Sequence, residues 1–333
     1  MNNLMTIQEA SEYLSLNVKT TYRLAAQKKL PFTKVGGIWR IDKNVLCNLF
    51  QIKDSSKNPR SDCFEYFKNI DNCIFEGDCL EILKKIPDQS VNMILCDLPY
   101  GTTQNKWDSI IDLSELWFHY ERIIKENGVI VLTAQGIFTA KLMLSNEKWF
   151  KYKMIWEKSK STNFLNAKKQ PLRKYEDICV FYNKQPTYNP QMSKGVPYNK
   201  GARKNQLTGS YGDFSSCYVK NETGDRYPND ILYFKTAESE KEHTVWHPTQ
   251  KPVELGRYLI RTYTNPGDII LDNAFGSGSF LLAAALENRR FCGIEKNKEV
   301  HLFKNSPIDY IEVANNRLKA NNFEAKVFRY ADL

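Results

Sequence analysis

An α/β fold built on one seven-stranded sheet is predicted for most of this chain by three observations. Seven short apolar runs have strand character, amphipathic helical stretches lie between most of them, and acid- or glycine-bearing turns follow several of the runs. The 333 residues, 42% of them hydrophobic, suffice for one sizeable core and a small accessory domain. The strand-like runs are CIFEG from residue 73, VNMILCD from 91, GVIVLTA from 128, YKMIWEK from 152, EDICVFY from 176, DIILDN from 268 and RFCGIEK from 290. The helical stretches are CLEILKKI from 79, LSELWFHYERIIKE from 113, IFTAKLML from 137, VELGRYLIRTYT from 253 and SFLLAAALENR from 279. The alternation breaks over residues 183–247, a Gly-, Asn-, Tyr- and Lys-rich stretch that reads as an insert, the kind of place where a binding function is added to a core.

Residues 6–50 form a separate pattern. Thr6 is placed to cap a helix over IQEASEYL, with Glu9 completing a capping box. A second turn near Asn17 to Thr20 leads into TTYRLAAQKK, Leu30-Pro31 ends it, and Gly36-Gly37 closes a hairpin between FTKV and IWRI, after which a last helix is expected. Polar, proline-containing DSSKNPRS then reads as a linker, giving expected boundaries of 1–53 for the first domain, 54–71 for the linker and 72–325 for the main domain, with the insert at about 184–246. EASEYL, TTYR and VGGIWR resemble the winged helix-turn-helix of the excisionase and MerR families. That resemblance implies DNA binding, with Lys19, Thr20, Tyr22 and Arg23 opening the helix that enters the major groove and Arg40 on the wing touching phosphate.

The net charge of +9 is unevenly spread. Residues 151–212 carry 13 Lys and Arg against 3 Asp and Glu, and residues 1–53 carry 8 against 3, so the positive field is confined to two segments suited to a polyanion. No run of about 18 apolar residues occurs and the N-terminus lacks a signal-peptide pattern, so a cytoplasmic protein with no membrane partner is expected. The eight cysteines contain no C-x-x-C pair and the four histidines do not cluster with them, so reduced thiols and no metal are expected.

Three motifs carry chemistry. Asp97-Leu98-Pro99-Tyr100-Gly101 follows the apolar strand VNMILC, and open α/β sheets bind ligands at strand carboxyl ends. A carboxylate and a main-chain carbonyl held by a proline can accept both hydrogens of an aromatic amine, while a tyrosine offers a flat face to a base. Asp272-Asn273-Ala274-Phe275-Gly276-Ser277-Gly278-Ser279 lies between a strand and a helix, where glycines let the backbone approach a ligand, and Glu295 ends the next strand at the position of an acid that binds ribose hydroxyls. His247-Pro248-Thr249-Gln250-Lys251-Pro252 directly precedes an amphipathic helix. A weaker fourth piece is Gly77-Asp78-Cys79.

In this order the motifs resemble the permuted β-class of amino DNA methyltransferases, the N6-adenine and N4-cytosine enzymes, over about residues 73–318. DLPY, followed by Trp107-Asp108, resembles their D/N/S-P-P-Y/F motif with Leu98 in place of the commoner proline, HPTQKP matches without a change, and DNAFGSGS resembles L-D-P-F-x-G-S-G with the aromatic one residue late.

The resemblance implies a Rossmann-like methyltransferase sheet, S-adenosyl-L-methionine as cofactor and double-stranded DNA as substrate, acted on after base flipping. It implies catalysis by Asp97, Leu98, Pro99 and Tyr100. It places cofactor on Asp78, Cys79, Asp97, Asp272, Phe275, Gly276, Ser277, Gly278 and Glu295, with Thr249 and Lys251 near the methionine carboxylate. Lys158, Lys168, Lys169 and Arg173 are expected on phosphate, with Asn163 and Phe164 near the displaced base. A homodimer and a partnering restriction endonuclease are further expectations. Adenine N6 is preferred because the motif begins with Asp rather than Ser. Cytosine N4 methylation, RNA methylation, and an excisionase-like regulator with an inactive methylase domain are the alternatives.

Overall fold

The computed structural model describes residues 4–13, 18–26, 30–42, 45, 67, 69–101, 109–202, 218–240, 244–297, 301–303 and 306–329. The chain divides into two compact units, Met1–Phe64 and Glu65–Leu333.

In the first unit, β1 (Leu4–Thr6), α1 (Ile7–Tyr13), α2 (Val18–Ala26), β2 (Thr33–Val35) and β3 (Ile38–Asp42) enclose Ile7, Ala10, Ala25, Leu30, Phe32 and Ile41. The capping box is present: Glu9 N donates to Thr6 Oγ1 at 3.1 Å and Thr6 N to Glu9 Oε2 at 2.7 Å. Gly36 and Gly37, at φ 60° and 83°, close the hairpin, a turn whose backbone twist needs positive φ at both residues. The sheet has a third strand that the sequence did not announce, β1 against β3, because LMT is too short to show a period. The last helix expected here falls, except for Val45, outside the described residues, as do Asn17 and residues 54–61.

The second unit begins with β4 (Cys73–Glu76), α3 (Cys79–Leu83), β5 (Val91–Cys96), α4 (Leu113–Ile123), β6 (Ile124–Ala134), α5 (Ile137–Ser145), β7 (Phe150–Thr162) and β8 (Arg173–Phe181). The insert contributes β9 (Ser193–Lys194), β10 (Tyr198–Ala202), β11 (Tyr218–Asn221), β12 (Asp225–Arg226) and β13 (Ile231–Phe234). Then follow α6 (Val253–Tyr263), β14 (Ile269–Asp272), α7 (Ser279–Leu286), β15 (Arg290–Glu295), β16 (His301–Phe303), β17 (Ser306–Ile308), α8 (Tyr310–Ala320) and β18 (Lys326–Phe328).

The main sheet has nine strands in the order β13-β7-β8-β6-β5-β14-β15-β4-β18, parallel except for β8. All seven expected runs are in it; the count of seven is corrected by two short edge strands. One, β13, comes from within the insert, and the other, β18, lies beyond the expected end at residue 325. At four and three residues, ILYF and KVF are too short to show a period, and their partly exposed positions set them apart from the long buried runs of the inner strands.

Alternation along β5 shows why the inner strands read so clearly. Ile94 and Cys96 join the cluster that holds Leu116, Tyr120, Phe138 and Leu142 from α4 and α5, whereas Met93 and Leu95 join the cluster that holds Leu259, Phe280, Leu282 and Ile311 from α6, α7 and α8. Both faces are covered, so both sets of positions must be apolar. Because β4, β5, β14 and β15 run parallel, their carboxyl ends open at one edge of the sheet.

Candidate active site

That edge holds a cavity of about 830 Å³ lined by all three motifs. Asp97 follows β5 directly. Its Oδ1 accepts from the Tyr100 hydroxyl at 2.7 Å and from the Thr133 hydroxyl on β6, while its Oδ2 accepts from Lys251 Nζ at 2.6 Å. Leu98 is 3% exposed and packs in the core, so burial supplies the stiffness that a second proline would give. The Tyr100 ring stacks on Phe138 at 5.2 Å, with the Lys251 ammonium 5.5 Å from its centroid. Burial first, and then the Asp97 charge, push the Tyr100 hydroxyl well above the usual phenol range, so it stays a donor.

Lys251, one residue before the helix N-cap Pro252, is 7% exposed and also lies 3.2 Å from Glu176 Oε2. Glu176 Oε1 in turn accepts from Lys158 Nζ at 3.1 Å. Asp97, Lys251, Glu176 and Lys158 therefore form one charge-balanced chain. Burial works against the Lys251 charge, yet Asp97 and Glu176 outweigh it and hold the ammonium pKa above the ordinary lysine value. Burial likewise works against the Glu176 charge, and Lys251 and Lys158 still hold its carboxyl below the usual range.

The glycine loop follows β14. Asp272 is 2% exposed and accepts from Ala274 N at 3.3 Å; burial pushes its carboxyl up to about 8. Glu295, ending β15, accepts from Gly276 N at 2.6 Å, and burial pushes it up to about 7. Asn273 Oδ1 accepts from the Tyr120 hydroxyl at 2.5 Å, leaving its buried Nδ2 with no protein partner. Asp78 caps α3 through Leu80 N at 3.0 Å and pairs with Lys296 at 2.9 Å; burial opposes its charge, but these contacts hold its carboxyl below the usual range. Cys79, beside it, is pushed up to about 12 by burial and is therefore a neutral thiol.

Asp78, Cys79, Asp97, Leu98, Pro99, Tyr100, Thr249, Lys251, Asp272, Phe275, Gly276, Ser277 and Glu295 all line the cavity. Gly278 is not among the lining residues. It caps α7 at φ 76°, and a Cβ there would meet the Ala314 Cβ of α8 at 2.7 Å, so its missing side chain serves helix packing. Lys158, expected on phosphate, is 3% exposed and pairs with Glu176 inside the protein. The alternation of β7, where Met154, Trp156 and Lys158 share the buried face, is the signal that finds it. Lys168, Lys169 and Arg173 are exposed, as is Phe164, while Asn163 is half-buried. In the first unit Lys19, Tyr22 and Arg23 are exposed on α2 and Arg40 is half-buried on β3; the Thr20 side chain, like Trp107 and Asp108, lies outside the described residues. Glu176, Thr133 and Asn273 are the site residues that sequence reasoning missed.

Residues 91–304 match the DNA methylase family of N6/N4 methyltransferases, a span that includes the amine motif, HPTQKP and the glycine loop. The chain belongs to that family. Residues 4–46 of this methylase match a helix-turn-helix domain family. The DNA adenine methyltransferase YhdJ of Escherichia coli strain K12 is 29% identical over 244 residues, spanning 70% of this chain and 81% of the relative. The type II methyltransferase M.HinfI of Haemophilus influenzae is 27% identical over 281 residues, spanning 74% and 68%. The solved M1.HpyAVI–SAM complex matches the methylase's fold with a TM-score of 0.51 at 23% identity, covering 74% of this chain and 98% of that one. Among the described residues no group of His, Cys, Asp and Glu is placed to hold a metal ion, and no helix is long and apolar enough to cross a membrane.

Proposed function

We propose that this methylase transfers a methyl group from S-adenosylmethionine to adenine N6 in duplex DNA, after the target base leaves the stack. The observation that carries the reading is the shared cavity: the Asp97–Tyr100 loop and the Asp272–Glu295 edge line one space.

The residues present fit the cofactor. Asp78, Asp272 and Glu295 are acceptors for amine and hydroxyl groups, and the orphaned Asn273 Nδ2 and the Thr249 hydroxyl are donors for a carboxylate. When bound, S-adenosylmethionine supplies an electrophilic methyl group on a sulfonium centre.

The chain's own residues supply position and polarity. Asp97 and the Leu98 main-chain carbonyl would accept the hydrogens of the exocyclic amine and aim its lone pair, and Asp97 Oδ1 is the atom that would take the proton the amine loses. Lys251 on Oδ2 fixes the carboxylate's plane while the Tyr100 and Thr133 hydroxyls on Oδ1 give way. Tyr100 would stack on the extruded base, a contact worth about 1–3 kcal/mol against the cost of unstacking. Most of the acceleration comes from such orientation and from a polar site organised beforehand.

The name of the relative YhdJ and the Asp that opens the motif support adenine; residues 184–246 serve as the target-recognition region on this reading, and residues 1–53 as a second DNA contact. The type II relative supports a partnering endonuclease; a homodimer and a cytoplasmic location belong to the same reading. Single-molecule sequencing of DNA from cells producing the protein tests it, with methyladenine at one short motif expected, the mark lost with Asp97→Ala and kept without residues 1–53. Methylcytosine would move the reading to N4, and an unmarked genome would favour the regulator. Sedimentation of the purified protein tests the dimer.

A further inference from the structure

We propose that Phe164 and Leu165 form a wedge that enters the DNA stack and fills the space vacated by the target base. The inference rests on the base-flipping reading above and names the part of the chain that stabilises the opened duplex.

The two residues are consecutive in a short 3-10 turn of the β7–β8 loop, and their side chains are 76% and 84% exposed. A pair of large apolar groups so open to water calls for an apolar occupant. Their loop is closed at its base by the Thr162–Arg173 pairing, and both of those residues line the methyl-transfer cavity. The turn is built rather than slack: Asn166 N donates to Asn163 O at 3.1 Å, Ala167 N to Phe164 O at 3.1 Å, Lys169 N to Asn166 O at 2.8 Å and Asn166 Nδ2 to Asn163 Oδ1 at 2.8 Å.

Charge identifies the occupant. Residues 163–174 contain Lys168, Lys169, Arg173 and Lys174 and no Asp or Glu, and all four cations are exposed. A partner that is anionic outside and apolar within, met at the rim of a cavity that must receive a base, is a DNA duplex with its stacked pairs. Apolar side chains between base steps are a general means of holding a duplex open, and the lysines and arginine would hold phosphates on either side.

The test compares methyl transfer to two duplexes carrying the motif read from sequencing, one fully paired and one with a mismatch opposite the target base, which is then already unpaired. Phe164→Ala/Leu165→Ala should lower kcat/KM at least about tenfold on the paired duplex, remain within about twofold of the parent enzyme on the mismatched one, and leave the melting temperature unchanged. Lys168→Ala/Lys169→Ala should weaken both substrates alike and reduce the salt dependence. Equal losses on both duplexes for the wedge variant, or no loss on the paired one, would overturn the proposal. If the parent enzyme labels neither duplex, it is the methyl-transfer reading that fails.

Discussion

Lys251 Nζ lies 2.6 Å from Asp97 Oδ2 and 3.2 Å from Glu176 Oε2, so one buried ammonium ties the residue after β5 to a residue of β8. The lysine was expected on the cofactor's carboxylate; in the structure its partners are the two acids. Lys251→Met should therefore cost about 3 kcal/mol of stability, because two partly buried carboxylates lose their shared cation. It should also lower kcat far more than it weakens cofactor binding. Denaturant unfolding, a cofactor titration and single-turnover transfer check this. A variant with normal turnover and a hundredfold weaker cofactor would restore the expected role.

Glu176 has no direct chemistry, and its effect runs through its neighbours. Glu176→Gln leaves Lys158, 3% exposed, without a counter-charge, and should destabilise by about 3 kcal/mol and slow transfer through a misplaced Lys251. Adding Lys158→Met should recover part of the stability, since the remaining Asp97–Lys251 pair is neutral, but not the rate. A double-mutant cycle on stability measures the coupling; additive losses would show that the two side chains do not act as a pair.

How much of this was written in the sequence follows from how each part is buried. The inner strands and the five helices between them announce themselves because both sheet faces demand apolar residues, and the cavity's motifs follow strands β4, β5 and β14 or directly precede α6, positions that the period of the pattern locates. α8 escaped because YIEVANNRLKA mixes its buried positions with Asn, Arg and Lys. Glu176 was silent for a different reason. An acid at the head of EDICVFY has no local partner, and only the order of the strands brings it to a lysine in a motif 75 residues away. Lys158 was misplaced because composition cannot say which way a strand residue points, although its buried neighbours Met154 and Trp156, four and two residues back, do say so.

The two raised carboxyls give a pH dependence with a definite sign. Burial puts Asp272 at about 8 and Glu295 at about 7, above the roughly 4 of the unfolded chain. Between these values the ligand-free folded protein binds more protons than the unfolded one, so its stability falls as pH rises from about 4 towards 8. A bound amino group favours the ionised carboxylates, so cofactor affinity should rise over the same range, level off above about pH 8, and be accompanied by proton release near pH 6. Calorimetry in buffers of different ionisation enthalpy counts those protons. Asp272→Asn should flatten the profile, and an affinity that falls with pH would contradict the account.

The glycine loop separates a binding glycine from a packing one. At Gly276 an added Cβ would come no closer than 3.6 Å, to the His247 ring, and would stand among the lining residues, whereas at Gly278 it would strike Ala314 at 2.7 Å with φ at 76°. Gly278→Ala should therefore cost about 1–3 kcal/mol through overpacking and backbone strain, while the folded fraction keeps its cofactor affinity. Gly276→Ala should do the opposite, with about 1 kcal/mol of strain and a larger loss of affinity as its methyl group enters the cavity. Thermal melts and a cofactor titration on both variants separate the two effects. Weakened binding at unchanged melting temperature in Gly278→Ala would return that residue to the cofactor site.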